Sequence, residues 1–227
     1  MRWALRLAAL AILVVIFYQI WIIAHIWYWR DHNPSSTAFM DSQRSVLQAK
    51  SGTQIRHRWV AYNEISPQLK RALIAAEDAK FAEHDGFDWQ SIQKAYEKNR
   101  KKGRIVAGGS TITQQLAKNL FLSGEKTPGR KIQEAVITLM LEKLLTKRRI
   151  LELYINIIEW GEGIFGAEAA AQHYFATSAK NLNREQAAKL AAMTPRPRYY
   201  ETRVTSLGLA RRTHIILARM PAAQVPQ

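Results

Sequence analysis

The sequence predicts a mainly α-helical domain carried behind one N-terminal transmembrane helix. Three observations carry that reading. Leu7 to Trp29 is a run of 23 residues without a formal charge. From Ser66 onward nearly every segment places apolar residues at helical spacing between recognisable caps. The alternating pattern of half-buried strands is hard to find anywhere, and no internal repeat appears.

At ~1.5 Å per residue the uncharged run spans about 34 Å, enough for a hydrocarbon core of roughly 30 Å. Arg2 and Arg6 precede it, and Trp27, Tyr28 and Trp29 form an aromatic belt at its exit. A cleaved signal would have a shorter apolar run and small residues at that exit, so the segment reads as an uncleaved anchor. Positive charge before the span favours a cytoplasmic N-terminus, although Arg30 weakens the asymmetry. Residues 1–6 then form a cytoplasmic end, 7–29 the membrane helix, 30–62 a linker, 63–220 the domain and 221–227 an unstructured tail.

Composition narrows the function less than the order does. The chain of 227 residues has no Cys, which excludes disulfides, thiolate metal sites and a cysteine nucleophile. The six histidines are scattered, with no metal-ligand spacing. Net charge is +15, and only Arg2, Arg6 and Arg30 contribute to it before residue 31. Such a domain prefers polyanions: nucleic acid, phospholipid headgroups or phosphorylated substrates.

The first informative stretch is Ala75 to Gly86. It ends a helix announced by Ser66 as N-cap and Pro67 at the first helical position. Helical spacing puts Leu73, Glu77 and Phe81 on one side, so Glu77 interrupts an apolar face. A carboxylate half-withdrawn from water suits acid–base work. The plain alternative is a capped helix end whose acids pair with Arg71 and Lys80. His84-Asp85-Gly86 reads as a turn. Asp88 then caps a helix to about Lys101, stopped by Gly103.

Gly108-Gly109-Ser110-Thr111 opens the second stretch. Thr111 and Gln114 fit a capping box, and Ile112, Leu116 and Leu120 form a buried stripe. Thr111, Gln115 and Lys118 make a polar stripe on another face, with Asn119 beside it. A hydroxyl, an amide and an ammonium after a Gly-rich entry suit sugar hydroxyls and phosphate oxygens. This is no Walker loop, because the Gly-Lys-Ser/Thr ending is missing. Gly103, Gly108 and Gly109 allow mobility around residues 104–107, and the sequence leaves open whether 87–125 is rigid or a moving cover.

Thr127 and Pro128 open the next helix, with Arg130, Lys131 and Glu134 in its first turns. Beyond them it is apolar around most of its circumference, the pattern of a central helix, which would place these three charges at a cleft. An exposed Arg130–Glu134 pair is the alternative, worth only ~0.3–0.5 kcal/mol. Lys147 to Asn156 begins a further amphipathic helix, ended by Gly161 and Gly163, and Ala-rich helices follow over 168–175 and 184–193. Pro195 and Pro197 break the chain before a last helix bearing Arg211 and Arg212.

Five blocks in this order resemble the peptidoglycan glycosyltransferase family, the lysozyme-like helical polymerases that extend glycan chains from lipid II. They are Glu77-Asp78-x-x-Phe81-x-x-His84-x-Gly86, Gly109-Ser110-Thr111-Ile112-Thr113-Gln114-Gln115, Arg130-Lys131-x-x-Glu134, Lys147-x-x-Ile150-Leu151-x-x-Tyr154-x-Asn156, and Arg211-Arg212 with its Ile-rich helix. The first two are long and specific. The last is weak, its apolar pair displaced by one residue, and no role is rested on Arg211 or Arg212. With an anchor before the blocks and little after them, the chain resembles the family's monofunctional members. Ser91-Ile92-Gln93-Lys94 and Lys50-Ser51-Gly52 match transpeptidase boxes by chance, in the wrong order and with too few residues for that domain.

The resemblance implies inverting transfer of a lipid diphosphate-linked glycan to the GlcNAc 4-hydroxyl of lipid II, giving a β-1,4 strand for the cell wall. It implies Glu77 and Glu134 as catalytic residues, Glu77 as the base and Glu134 holding Arg130 and Lys131 or a bound cation. Substrate binding falls to Asp78, Phe81, His84, Thr111, Gln115, Lys118, Asn119, Arg130, Lys131, Tyr154 and Asn156. Among these, Asp78, Phe81 and His84 would shape the site, and Tyr154 and Asn156 would support it. No cofactor is required; a divalent cation, Mg or Mn, could sit on the lipid diphosphate through phosphate and water. The implied partners are lipid II, the growing strand, membrane lipid and other cell-wall or division proteins, with no nucleic acid. The implied place is the bacterial inner membrane, single-pass, the domain periplasmic. A hydrolytic lysozyme-like enzyme is the nearest rival, disfavoured by the Arg130-Lys131-Glu134 block and the anchor. A membrane-tethered nucleic-acid or lipid binder rests on net charge alone, with no zinc-finger, RNA-binding or basic-aromatic signature to support it.

Overall fold

A computed structural model of the chain describes residues 2–52, 54–104, 106, 108–122 and 127–227, the side chains of residues 50 and 51 aside. The glycine-flanked stretch 104–107 therefore falls partly outside the described residues, at 105 and 107. So do the side chains of Lys50 and Ser51.

Helix α1, Arg2–Tyr28, is long and apolar enough to cross a membrane, and most of its length is exposed. Its C-terminal part is docked rather than free. Ile22 and Ile26 are fully buried, and the Gln19 and Gln133 amides exchange hydrogen bonds at 3.0 and 3.2 Å. Trp21 and Trp29 meet the Phe121 ring at 6.0 and 5.3 Å between centroids. Arg149 then clamps the exit of the helix, donating to the carbonyls of Trp29 and His32 and to Asn33 Oδ1.

Residues 30–62, read as linker, contain structure that periodicity did not announce. Helix α2, Ala38–Ser51, is capped by Thr37 and packs on the helix at 112–121. Among its described side chains only Met40 and Leu47, seven apart, are buried in the core, too narrow a stripe to read as an amphipathic face. Strand β1, Arg56–His57, follows. It pairs in parallel with β3, Ile164–Phe165, which pairs antiparallel with β2, Glu159–Gly161, giving the order β1-β3-β2. Strands of two or three residues are too short to show alternation, which is why the sequence read as helix alone.

The helices from 66 onward form where their caps predict. Ser66 caps α3, Pro67–Glu77; Asp88 caps α4, Trp89–Lys102, which Gly103 ends with φ +61°. Thr111 and Gln114 complete both bonds of a capping box on α5, Ile112–Phe121. Thr127 caps α6, Pro128–Leu144, and Thr146 caps α7, Lys147–Ile157. Helices α8 (Ala167–Phe175), α9 (Arg184–Met193), α10 (Pro197–Glu201) and α11 (Leu207–Arg219) complete the chain.

Two helix groups result. Helices α3, α9 and α11 pack on one another, and α5 packs on α6, α7 and α2. Helix α6 is not the central helix its composition suggested: Ile132 and Leu139 are exposed, and α1 lies against it. Part of its apolar surface is therefore exposed and does not belong to the core. The tail is also ordered. Ala223 and Val225 pack against the core, and Tyr62 Oη donates to the Pro226 carbonyl at 2.6 Å.

Gly166 illustrates how closely α7 and α8 approach. It has φ +79°, and a Cβ there would stand 2.5 Å from the Asn156 carbonyl oxygen. Gly166→Ala should therefore cost about 2–4 kcal/mol of stability, measured as a lower melting temperature of the full chain in detergent.

Candidate active site

Glu77 is the last residue of α3, and the chain turns immediately after it. The expected single helical face of Leu73, Glu77 and Phe81 is therefore broken: Asp78 is the C-cap, and a turn with its own bond from Phe81 N to Asp78 O returns Phe81 to the core. The Asp78 carboxylate is what holds the turn. Oδ1 lies 2.9 Å from His84 Nε2, and Oδ2 accepts from the backbone N–H of Ile112, the first residue of α5, at 3.1 Å. Thr111 Oγ1 donates to the Gly86 carbonyl at 2.7 Å. Gly86 has φ +91°, and a Cβ there would meet Thr138 Cγ2 at 2.7 Å. Lys147 closes the back of the turn, donating to the His84 carbonyl and Glu142 Oε1 with its ammonium 4.6 Å from the Phe81 ring centre.

This frame leaves the Glu77 carboxylate facing the space between the two helix groups. Gln115 Nε2, one turn into α5, donates to Oε2 at 2.8 Å. The amide is oriented by Tyr154, whose hydroxyl donates to Gln115 Oε1 at 3.1 Å. Burial, with the charges of Glu77 and Asp78 adding to it, pushes the Tyr154 hydroxyl well above the ordinary phenol range, so it remains a donor. On the other oxygen, Thr194 Oγ1 donates to Oε1 at 2.5 Å, and an Arg212 guanidinium nitrogen lies 3.8 Å away.

Glu77 sits in the wall of two adjoining cavities. One, of about 260 Å³, runs past Asp78, Asp88, Thr111 and Arg219. The other, of about 440 Å³, runs past Gln115, Arg196, Tyr200 and Arg212. Further along the cleft, Glu134 is 3% exposed and gripped through both oxygens, by Arg130 at 2.9 Å and by the Lys131 ammonium. That burial sets the cluster apart from an exposed i,i+4 pair. Arg130 Nε and Arg212 Nε are buried donors with no hydrogen-bond partner among the described residues.

A transglycosylase family model matches residues 43–221. The chain belongs to the transglycosylase family. It is 61% identical over 218 residues to the biosynthetic peptidoglycan transglycosylase of Methylobacillus flagellatus, covering 96% of this chain and 95% of that one. Identity is 58% over 226 residues to the protein of that name from Nitrosospira multiformis, 99% of this chain and 98% of the other. The same name belongs to a protein of Laribacter hongkongensis, 56% identical over the whole of both chains. The activity is that of a peptidoglycan glycosyltransferase.

In this transglycosylase the expected site residues divide by exposure. Glu77 and Gln115 line the second cavity, Lys118 lies within electrostatic reach of Glu77, Arg130, Lys131 and Glu134, and Glu134 pairs with Arg130 and Lys131. Asp78, His84 and Thr111 build the turn and its seam with α5. Phe81, expected to shape the site, and Tyr154 and Asn156, expected to support it, have side chains sealed at 0% exposure. Asn156 stitches Val60 to α7 through both its amide groups, and Asn119 is buried beside Lys118. Arg212 belongs to the fifth block, on which no role is rested, and Thr194 belongs to none of the blocks. Thr194 lies in a Pro-broken stretch that carries no pattern, and only its approach to Glu77 gives it a role.

Lys118 senses both carboxylates of the cleft. Withdrawal of its ammonium from water holds it below the ordinary lysine range; Glu134 and Glu77 oppose this, and Arg130 and Lys131 add to it. In NMR of lysine-labelled full-length protein in detergent, Lys118 should titrate below the exposed lysines. Glu134→Gln should lower it further, because it removes the charge that most favours the ammonium.

Proposed function

We propose that this enzyme polymerises lipid II into β-1,4 glycan strands by inverting transfer, with Glu77 as the base. The observation that carries the reading is the Glu77 carboxylate itself, hydrogen-bonded through both oxygens at the junction of two cavities that can take donor and acceptor. An α-linked diphosphate donor that yields a β-linkage requires inversion at the anomeric carbon. The acceptor oxygen attacks that carbon as the bond to the diphosphate oxygen breaks. Glu77 takes the proton from the acceptor 4-hydroxyl, and the electron pair leaves on the diphosphate.

Charge then accumulates at the leaving group. Arg130 and Lys131 are braced by Glu134, and Lys118 stands near both ends of the cleft. These three cations would stabilise the departing diphosphate, and the unpaired Arg130 Nε offers it a directed donor. A divalent cation on the diphosphate would be held by phosphate oxygens and water, because both Glu134 oxygens are already taken. The reading places the first helix as a single-pass anchor in the bacterial inner membrane, N-terminus cytoplasmic and domain periplasmic. Arg2 and Arg6 before the span support that direction. It also leaves the outer surface open to other cell-wall or division proteins and assigns no role to nucleic acid.

The test uses the full-length chain in detergent with labelled lipid II and reads polymer on a gel, confirmed by muramidase digestion. Glu77→Gln should lower turnover by about 10²–10⁴-fold with lipid II binding largely kept; substantial polymer from this variant would sink the base assignment. Lys131→Ala should lower kcat, and an unchanged rate would remove Lys131 from the site.

A further inference from the structure

The two oxygens of Glu77 have partners of different kinds. Gln115 presents an amide N–H to Oε2, held in that orientation by the Tyr154 hydroxyl on its carbonyl. An amide N–H donates and cannot accept, so it favours an unprotonated Oε2. Thr194 presents a hydroxyl to Oε1, and a hydroxyl does both.

Thr194 also has a second place for its hydrogen. Its Oγ1 lies 2.9 Å from the Ala191 carbonyl, as well as 2.5 Å from Glu77 Oε1. Continuing the helix would have given that carbonyl a bond from the N–H of residue 195. Residue 195 is proline and has no N–H, so the carbonyl is left to the threonine. One hydrogen therefore faces two acceptors, and the oxygen that carries it can itself accept.

We propose that Thr194 is a positioning residue that makes Oε1 the proton-accepting oxygen of Glu77. The proposal rests on Glu77 being the base. With the carboxylate charged, Thr194 donates to Oε1 and fixes the carboxylate against Gln115. As the acceptor hydroxyl gives its proton to Oε1, the Thr194 hydrogen turns to the Ala191 carbonyl and its oxygen accepts from the new carboxyl O–H. No bond within Thr194 breaks, and every donor and acceptor stays paired in both states. Valine would serve neither state; serine would serve both.

The charged and titratable groups facing Glu77 are Asp78 next in the chain, Lys118 from α5, Tyr154 from α7 and Arg212 from α11, with Asp88, Arg196, Tyr200 and Arg219 lining the same two cavities. Among the described residues the hydrogen bond to Oε1 comes from Thr194, with an Arg212 guanidinium nitrogen 3.8 Å away. Removal of the hydroxyl thus takes away the one direct donor to that oxygen, and the charged form should become harder to keep as pH falls.

The experiment compares pH–rate profiles of full-length wild type, Thr194→Ser, Thr194→Val, Thr194→Ala and Glu77→Gln on labelled lipid II in detergent. Thr194→Ser should keep the wild-type profile within about twofold. Thr194→Val and Thr194→Ala should lose about 10- to 100-fold in kcat with KM little changed, and their acid limb should move to higher pH. If the Ser variant loses as much as Val and Ala with the acid limb unmoved, the role is packing and the proposal falls. Wild-type kinetics in Val or Ala beside an inactive Glu77→Gln would overturn it and leave the base standing. An active Glu77→Gln would overturn the base assignment first.

Discussion

The site depends on where α3 stops. Asp78, the residue after the helix, uses one carboxylate oxygen on His84 and the other on the first N–H of α5. A buried carboxylate at that place is favoured twice, by two hydrogen bonds and by the positive end of the α5 dipole. The consequence is geometric. Bringing the start of α5 to the end of α3 sets Gln115 opposite Glu77, and the return of the chain through Gly86 brings α6 and α7 against the same turn. Two adjacent acids thus divide the work: Asp78 is consumed in structure, and Glu77 is left facing the cleft.

The anchor is part of this architecture rather than a tether. A pair of glutamine amides, Gln19 and Gln133, would each be costly to leave unpaired in an apolar setting, and each satisfies the other. Beside them Ile22, Ile26 and Trp29 are withdrawn against the domain, and Arg149 fixes the chain as it leaves the helix. The exposed Ile132 and Leu139 of α6 extend the apolar surface of α1 onto the domain. A domain held this way keeps its cleft at a set distance from the long apolar helix.

Charge is handled in the same economical manner. Most of the +15 lies on exposed side chains, where it acts as a general field. Near the cleft the cations are paired with acids that fix their position: Arg130 and Lys131 on Glu134, Arg212 beside Glu77. Burying Glu134 alone would be expensive, and two cations offset it while keeping a net positive surface toward the cleft. An anion arriving there meets ordered donors rather than mobile side chains.

The sequence by itself determined the anchor, the helices with their caps, and the residues that meet at the cleft. Those features are local: an uncharged run, Ser66-Pro67, the Thr111–Gln114 box and Thr127-Pro128 act on groups a few residues away. Glu77 was legible as a carboxylate interrupting an apolar face, Gln115 as part of a polar stripe, and Arg130, Lys131 and Glu134 as charges at the entrance of an apolar helix. Only the tertiary structure decided which of the motif residues are sealed and which are left open to the cavities. Phe81, Tyr154 and Asn156 share the motifs but are sealed beneath the surface, since burial is set by neighbours distant in the chain. The same limit hid α2, the short sheet and the ordered tail, each held by contacts from another segment. Thr194 and Arg212 gain their meaning from Glu77, more than a hundred positions earlier, because a hydrogen bond depends on distance in space and not along the chain.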